Sequence, residues 1–174
     1  LYLFVSEKPV GNDRKCNVNV LMKDTSSNSI LFDRNLVLNG KNLIVQAHDL
    51  ADEILLQMTG QKGVCASSLA YCKMVSLRQK VICVSDYACK HNKIVVPTKR
   101  VNIAPSWHTI AKKLFYSQIT RVNNRLMAVD LKSRKRSVVC SYNGLNMQPS
   151  FSEDGKKVII CLSGGRGNSE SNLY

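Results

Sequence analysis

The feature that most constrains the fold of this chain is an internal repeat of about 44 residues in its second half. Residues 101–107 recur as residues 145–151, and the match continues without a gap into the charged and apolar positions that follow. Residues 69–72 form an earlier partial copy, which precedes residues 114–117 by 45 positions. Self-similarity at a fixed period of this length is typical of stacked arrays such as solenoids and propellers.

Each repeat contains several short apolar segments of strand length. Residues 80–85 match residues 125–130, and residues 172–174 begin a third copy of the same strand. Residues 94–96 and 138–140 form the next strand of each unit. Because a forty-odd-residue unit of three or four strands is typical of a propeller blade, we expect an all-β partial propeller of about two blades.

Propellers close with about four to eight blades, so about two blades leave sheet faces exposed that neighbouring blades normally cover. The sequence opens within a strand pattern at Leu1 and stops within another at Tyr174. We therefore expect the chain to be an internal piece of a longer protein, and its isolated fold to be marginally stable.

The first part of the chain follows a different pattern, which changes near Gly60 and Gly63. It reads as strand, strand and helix, so we expect an α+β domain remnant over residues 1–63 and propeller blades over residues 64–174. The predicted strands lie at residues 1–5, 17–22 and 30–38, and the predicted loops at 8–13 and 24–28.

The helix of this first part is predicted over residues 43–59, because its apolar residues recur at the spacing of one helical face. Asn39 or Asn42 can cap its start, and Gly60 can supply the left-handed residue that ends it. We expect the apolar face to be core, and it comprises Leu43, Ile44, Ala47, Leu50, Ala51, Ile54, Leu55 and Met58.

The repeat has its clearest motif in residues 149–158, where Pro149 and Phe151 precede a turn that contains Asp154 and Gly155. Phe151 is predicted to enter the core, Ser152 and Asp154 to accept hydrogen bonds from turn amides, and Gly155 to adopt a positive φ. The matching unit keeps Pro105 and Trp107 but has lost the Asp-Gly pair, so its turn requires another geometry. The role of this motif is structural.

Charge and hydropathy favour neither nucleic-acid binding nor a membrane-spanning helix. The net charge is +13, but the basic residues are spread along the chain and aromatic residues do not interleave with them, so we expect no nucleic-acid binding. No apolar run reaches the eighteen residues that a membrane-spanning helix needs.

The sequence predicts no metal site, cofactor or catalytic centre. None of the seven cysteines forms a CxxC pair, and Cys83, Cys89 and His91 lack a fourth ligand, which favours buried thiols and leaves disulfide pairing open. The three histidines have no nucleophile within a known motif. The glycine-rich residues 164–167 precede a strand rather than a helix, which predicts a loop and not a phosphate site.

Residues 149–158 resemble the repeat of TolB-type propellers, which is shared with propellers of prolyl-oligopeptidase-like peptidases. Two further stretches favour the TolB family. Residues 51–63 resemble the helix that ends in a Leu-Thr-Gly-x-Lys-Gly segment before the propeller, and residues 84–87 resemble the end of a first-blade strand. The departures are the many cysteines, the positive charge and residues 89–91, which indicate a divergent member.

The resemblance implies a periplasmic, monomeric protein-interaction scaffold of the Tol–Pal system, with a signal peptide upstream and no enzymatic activity. It implies that the propeller binds the lipoprotein Pal and that a segment preceding Leu1 binds TolA, in support of envelope integrity and of outer-membrane constriction at cell division. The Pal-facing residues that it implies are Leu145, Asn146, Met147 and Gln148, with Asn102, Ile103 and Ala104 by repeat.

Alternatives stay open at this point, including a basic nucleic-acid binder, whose affinity would fall steeply with salt. Leu145, Met147 and Ile103 could pack between blades instead of facing a partner, because apolar loop residues serve both purposes. The chain could also be the regulatory propeller of a prolyl-oligopeptidase-like peptidase whose catalytic domain lies outside it.

Overall fold

The computed structural model describes residues 2–9, 15–39, 43–108, 110–165 and 168–174. The chain divides into two compact units, Leu1–Ser67 and Ser68–Tyr174. The first unit contains a three-stranded sheet and a helix, and the second contains strands throughout.

The sheet of the first unit is an antiparallel meander of β1 (Tyr2–Pro9), β2 (Lys15–Lys23) and β3 (Ile30–Asn39). Alternation along the central strand β2 buries Val18, Val20 and Met22, and these side chains form a core with Phe32 of β3. The predicted loop at residues 8–13 is corrected in its first two positions, because Lys8 and Pro9 belong to β1 and pair with β2. Residues 10–13 lie outside the described residues.

The helix α1 spans Leu43–Thr59, as predicted, and Gly60 ends it with a φ of 69°. Its predicted apolar face covers the core only in part. Leu50 and Ile54 pack against the buried cluster of the sheet, but no residue of the helix is fully buried. Of the two predicted caps, Asn39 belongs to β3 and Asn42 lies outside the described residues.

The segment that follows the helix is held by one carboxylate. Asp52 accepts hydrogen bonds from the amides of Cys65 at 2.7 Å and Ala66 at 2.9 Å. A Cβ atom at Gly63 would collide with the side chain and backbone of Asp52. The second glycine of the Thr-Gly-Gln-Lys-Gly segment is therefore required by this close approach.

The second unit contains ten strands in the described ranges. They are β4 (Ser68–Ser76), β5 (Gln79–Asp86), β6 (Lys93–Val96), β7 (Val101–His108), β8 (Lys113–Ile119), β9 (Asn124–Asp130), β10 (Arg136–Cys140), β11 (Asn146–Phe151), β12 (Val158–Gly165) and β13 (Asn168–Leu173). The predicted loop at residues 164–167 is shorter at its start, because Gly164 and Gly165 belong to β12.

These strands form three repeating units of antiparallel sheet. Strands β7 to β10 make a four-stranded meander, β4 to β6 make a three-stranded unit before it, and β11 to β13 make another after it. Strand β7 also continues the preceding unit through a single parallel bridge, between Lys80 and Val101. This arrangement confirms the predicted partial propeller.

The core of the second unit lies between the strands that carry the repeat. Its buried residues are Ile82, Val95, Val96, Leu114, Tyr116 and Val129, and Trp107 packs against them. The aligned positions Leu114, Tyr116 and Val129 are fully buried, which explains why the repeat keeps apolar residues there.

Candidate functional site

The strand directions of the second unit place its connections at two ends. One end, here called the tip end, carries the connections β4–β5, β6–β7, β8–β9 and β10–β11. The opposite end carries β5–β6, β7–β8, β9–β10 and β11–β12. The residues that the resemblance assigns to a partner begin β7 and β11, so they lie at the tip end.

Two asparagines at the tip end join consecutive blades. The side-chain amide of Asn102 donates to the carbonyl of Lys80 at 2.8 Å and to Thr98 Oγ1 at 2.7 Å. Asn146, at the equivalent position, donates to the carbonyls of Asn124 at 2.8 Å and Tyr142 at 2.7 Å. Each asparagine therefore ties the start of one blade to the preceding one.

Two members of the predicted partner surface are buried in this structure. Asn102 and Asn146 are both fully buried, and their side-chain oxygens accept hydrogen bonds from Gln118 and from the Tyr142 amide. Because every polar atom of these side chains is already engaged inside the protein, neither is available to a partner. Their role in this structure is to join blades.

The remaining predicted residues surround a repeated bulge. Ala104 has a φ of 50° and Gln148 a φ of 52°, and each stands before a proline where the strand register shifts. Since proline has no N–H to donate, the bulge removes that position from the ladder. Of the five predicted residues left, Gln148 is exposed, and Ile103, Ala104, Leu145 and Met147 are partly buried. Partial burial is compatible with both roles considered for the apolar side chains.

The motif residues at the opposite end have the predicted structural role. Ser152 Oγ accepts from the Lys157 amide at 3.0 Å, Asp154 Oδ1 accepts from the Lys156 amide at 3.0 Å, and Gly155 has a φ of 66°. The serine hydroxyl, together with the Lys156 amide, lowers the pKa of Asp154. Pro149 is buried in β11.

Phe151 contacts the preceding blade rather than the interior of its own. Its ring lies 4.7 Å from that of Phe115 and 4.6 Å from that of His108, measured between centroids. A Cβ atom at Gly155 would lie 2.7 Å from the His108 ring, so the two equivalent turns touch. The repeat motif thus serves to stack one blade on the next.

The turn β7–β8 lacks the Asp-Gly pair, and its residue with positive φ lies one position later. Lys112, not Ala111 at the position of Gly155, adopts a positive φ of 49°. His108 takes the position of Ser152, and its Nδ1 accepts from the Ala111 amide at 3.2 Å. The prediction that this turn differs is confirmed.

No cluster of at least three His, Cys, Asp or Glu side chains in the described part of the chain could hold a metal ion. His91 contacts the carboxylate of Asp86 at 2.8 Å, while Cys83 is buried and Cys89 exposed. Burial raises the pKa of the Cys72 and Cys140 thiols, which keeps them in the unreactive protonated form.

A basic cavity of about 570 Å³ opens at the tip end. Its charged lining comes from three connections and the start of β9, and consists of Arg78, Lys99, Arg100, Arg121 and Arg125. Val101, Ile119 and Val122 supply apolar surface between these side chains. The sequence alone does not reveal this site, because its residues are separated by up to 47 positions and meet only through the blade topology.

The fold and these contacts define a propeller whose antiparallel blades are joined by buried asparagines and a repeated aromatic contact. The chain belongs to the TolB β-propeller domain family, whose pattern matches residues 56–174.

Curated relatives carry the name Tol-Pal system protein TolB. The protein of that name from Francisella tularensis subsp. holarctica (strain OSU18) is 28% identical over 171 residues, which cover 94% of this chain and 38% of the relative. That of Rickettsia prowazekii (strain Madrid E) is 32% identical over 120 residues, covering 67% of this chain and 27% of the relative. The chain thus spans well under half the length of these relatives.

A solved structure shows the same fold. The crystal structure of TolB from Acinetobacter baumannii superposes with a TM-score of 0.85 at 23% sequence identity, over 99% of this chain and 43% of that one. Within the described residues, no helix has the length and apolar character needed to cross a bilayer.

Proposed function

We propose that this chain is part of a non-catalytic protein-binding scaffold of the Tol–Pal system. In this proposal it acts in the periplasm, its propeller binds the lipoprotein Pal, and the assembly supports envelope integrity and outer-membrane constriction at division. The observation that carries the proposal is the family match over residues 56–174, together with relatives named for that system.

Two further assignments belong to the same proposal. The first unit corresponds to the C-terminal part of the TolB N-terminal domain, with the boundary expected after residue 63. TolA binding belongs to a segment preceding Leu1. The relatives reported above carry the name of the Tol–Pal system and not of a peptidase, which favours the scaffold over the regulatory propeller of a peptidase.

The tip end is the surface assigned to Pal, through Gln148, Leu145, Met147, Ile103 and Ala104. Gln148 is the best probe of this surface, since it is the exposed member of the group. Its positive φ of 52° also means that glycine can replace it without backbone strain. The substitution Gln148→Gly therefore removes a side chain and leaves the bulge in place.

The experiment titrates the chain with lipid-free Pal from the same organism, with circular dichroism to verify folding. We expect wild-type binding, an affinity reduced about fivefold by Gln148→Gly, and no change for Glu153→Ala, an exposed residue of the opposite end. Absence of Pal binding by the folded wild-type chain would contradict the proposal. Equal affinities of Gln148→Gly and Glu153→Ala would remove Gln148 from the contact surface.

A further inference from the structure

The basic cavity at the tip end concentrates positive charge that no described carboxylate pairs with. Arg78 comes from the β4–β5 connection, Lys99 and Arg100 from β6–β7, and Arg121 and Arg125 from the β8–β9 hairpin. All five side chains are exposed. None of them forms a salt bridge with another residue described in the structure.

The described carboxylate side chains of the second unit lie away from this cavity. Asp86 ends β5, Asp130 ends β9, and Glu153 and Asp154 lie in the β11–β12 turn, which puts all four at the opposite end. Of the remaining acidic residue, Glu170, the side chain lies outside the described residues. Like charges gathered in one cavity repel each other, so an anion bound between them is favoured electrostatically.

Arginine is the main cation here, and its planar guanidinium pairs with carboxylates through two parallel hydrogen bonds. Four of the five cations are arginines from different positions of the cavity wall. A ligand with several carboxylates can therefore engage several of them together.

Two exposed apolar side chains beside the cavity indicate that the ligand also covers hydrophobic surface. Leu77 is 92% exposed and Val122 is 90% exposed, and they occupy equivalent hairpin positions 45 residues apart. Each has an arginine as a direct neighbour in sequence, Arg78 and Arg121. An inorganic anion would leave both side chains in water, whereas a polypeptide segment with acidic and apolar residues would cover them.

We propose that this cavity receives an acidic segment of the protein partner, with carboxylates on the arginines and apolar side chains on Leu77 and Val122. The inference rests on the proposed partner-binding role and names the chemistry of the partner segment. A concave site of about 570 Å³ suits an inserted segment better than a flat lipid surface.

The test uses two fluorescent peptides of equal length, one alternating Glu and Leu and the other alternating Gln and Leu. The variant Arg78→Gln/Arg125→Gln removes two charges from the cavity. Its matched control, Lys132→Gln/Lys135→Gln, removes the same net charge from the exposed β9–β10 hairpin at the opposite end.

At low salt we expect the Glu peptide to bind wild type, with affinity that falls as salt is added. The cavity variant should weaken binding about tenfold, which corresponds to the loss of two charged contacts, and the control by less than about twofold. Binding of the Gln peptide as tight as that of the Glu peptide, or equal losses in both variants, would overturn the proposal.

Two further arms separate the possible partners. If vesicles of phosphatidylglycerol and phosphatidylcholine sediment with the chain and displace the Glu peptide, the cavity faces lipid and the proposal is wrong. If lipid-free Pal binds wild type and both variants equally, the proposed function stands and this inference fails. If Pal does not bind but the Glu peptide shows the expected pattern, the acidic-segment site stands without Pal as its partner.

Discussion

The asparagine amides at the start of β7 and β11 make buried hydrogen bonds that no apolar side chain could make. Asn146 satisfies the carbonyls of Asn124 and Tyr142 and the amide of Tyr142, all at a fully buried site. Because buried polar groups without partners are costly, we expect Asn146→Ala to lower the free energy of unfolding by about 2 to 4 kcal/mol. Chemical denaturation followed by tryptophan fluorescence measures this loss.

The control for this prediction is Asn143→Ala, an exposed asparagine three residues earlier. It should change the free energy of unfolding by less than about 0.5 kcal/mol. Comparable losses in the two variants would mean that the buried hydrogen bonds of Asn146 do not stabilise the blade junction.

A second residue-scale prediction concerns Asp86 in the β5–β6 turn. The His91 ring, followed by the Lys90 and His91 amides, lowers the pKa of Asp86 from 3.8 to about 2. Since the pKa is lower in the folded state, the stabilisation is present above the ordinary value and is lost as the pH falls through about 2. The amide resonances of Lys90 and His91 should therefore titrate with a midpoint near 2 in NMR spectra.

Asp86→Asn is the isosteric comparison for this titration. It should abolish the low-pH transition of the two amides while keeping an oxygen that can accept their hydrogen bonds. A midpoint near 4 in the wild-type chain would show that the turn does not hold the carboxylate as the structure has it.

At the scale of the element, the two equivalent turns β7–β8 and β11–β12 have different backbone conformations at the same aligned position. Gly155 has a positive φ, and Ala111 does not. An alignment of the repeats would place the missing glycine at Ala111, whereas the structure places the positive φ at Lys112. A left-handed L-residue costs about 1 kcal/mol, so Lys112→Gly should raise the free energy of unfolding by about 0.5 kcal/mol after the added chain entropy.

Ala111→Gly is the matched substitution, and it should lower the free energy of unfolding by about 0.5 to 1 kcal/mol, because its φ is not in the left-handed region. Thermal unfolding of both variants measures the difference. The opposite order of stabilities would show that the turn follows the alignment and not the geometry described.

The strands, the helix and the turn motif were predictable because each leaves a local signal. Each signal depends only on residues that are close together in sequence: the alternation in β2, the apolar spacing in residues 43–59 and the Asp154–Gly155 pair. The function of Asn102 and Asn146 was not predictable from the repeat, which shows that a residue recurs but not whether it is buried. The basic cavity leaves no local signal either, since Arg78 and Arg125 meet only after the blades form.

At the scale of the whole molecule, the apolar side chains are buried unevenly across the blades. Strands β8 and β9 pair on both sides and carry the fully buried Leu114, Tyr116, Leu126 and Val129. In β12, by contrast, Val158 is 40% exposed and Ile159 is 55% exposed. The prediction that sheet faces stay exposed is confirmed for these positions.

This gradient predicts an order of local stability within the second unit. Poorly packed elements open most often, and their amides exchange while they are open. The amides of β12 and β13 should therefore exchange at least about tenfold faster than those of β8 and β9. Mass spectrometry of the exchanging chain gives the rates by segment. Leu114→Ala should accelerate exchange in β8 and β9 most strongly, since it opens a cavity at a fully buried position. Protection of β12 equal to that of β8 would contradict this order, and mass measurement under native conditions would then test whether a second copy of the chain covers the exposed side chains.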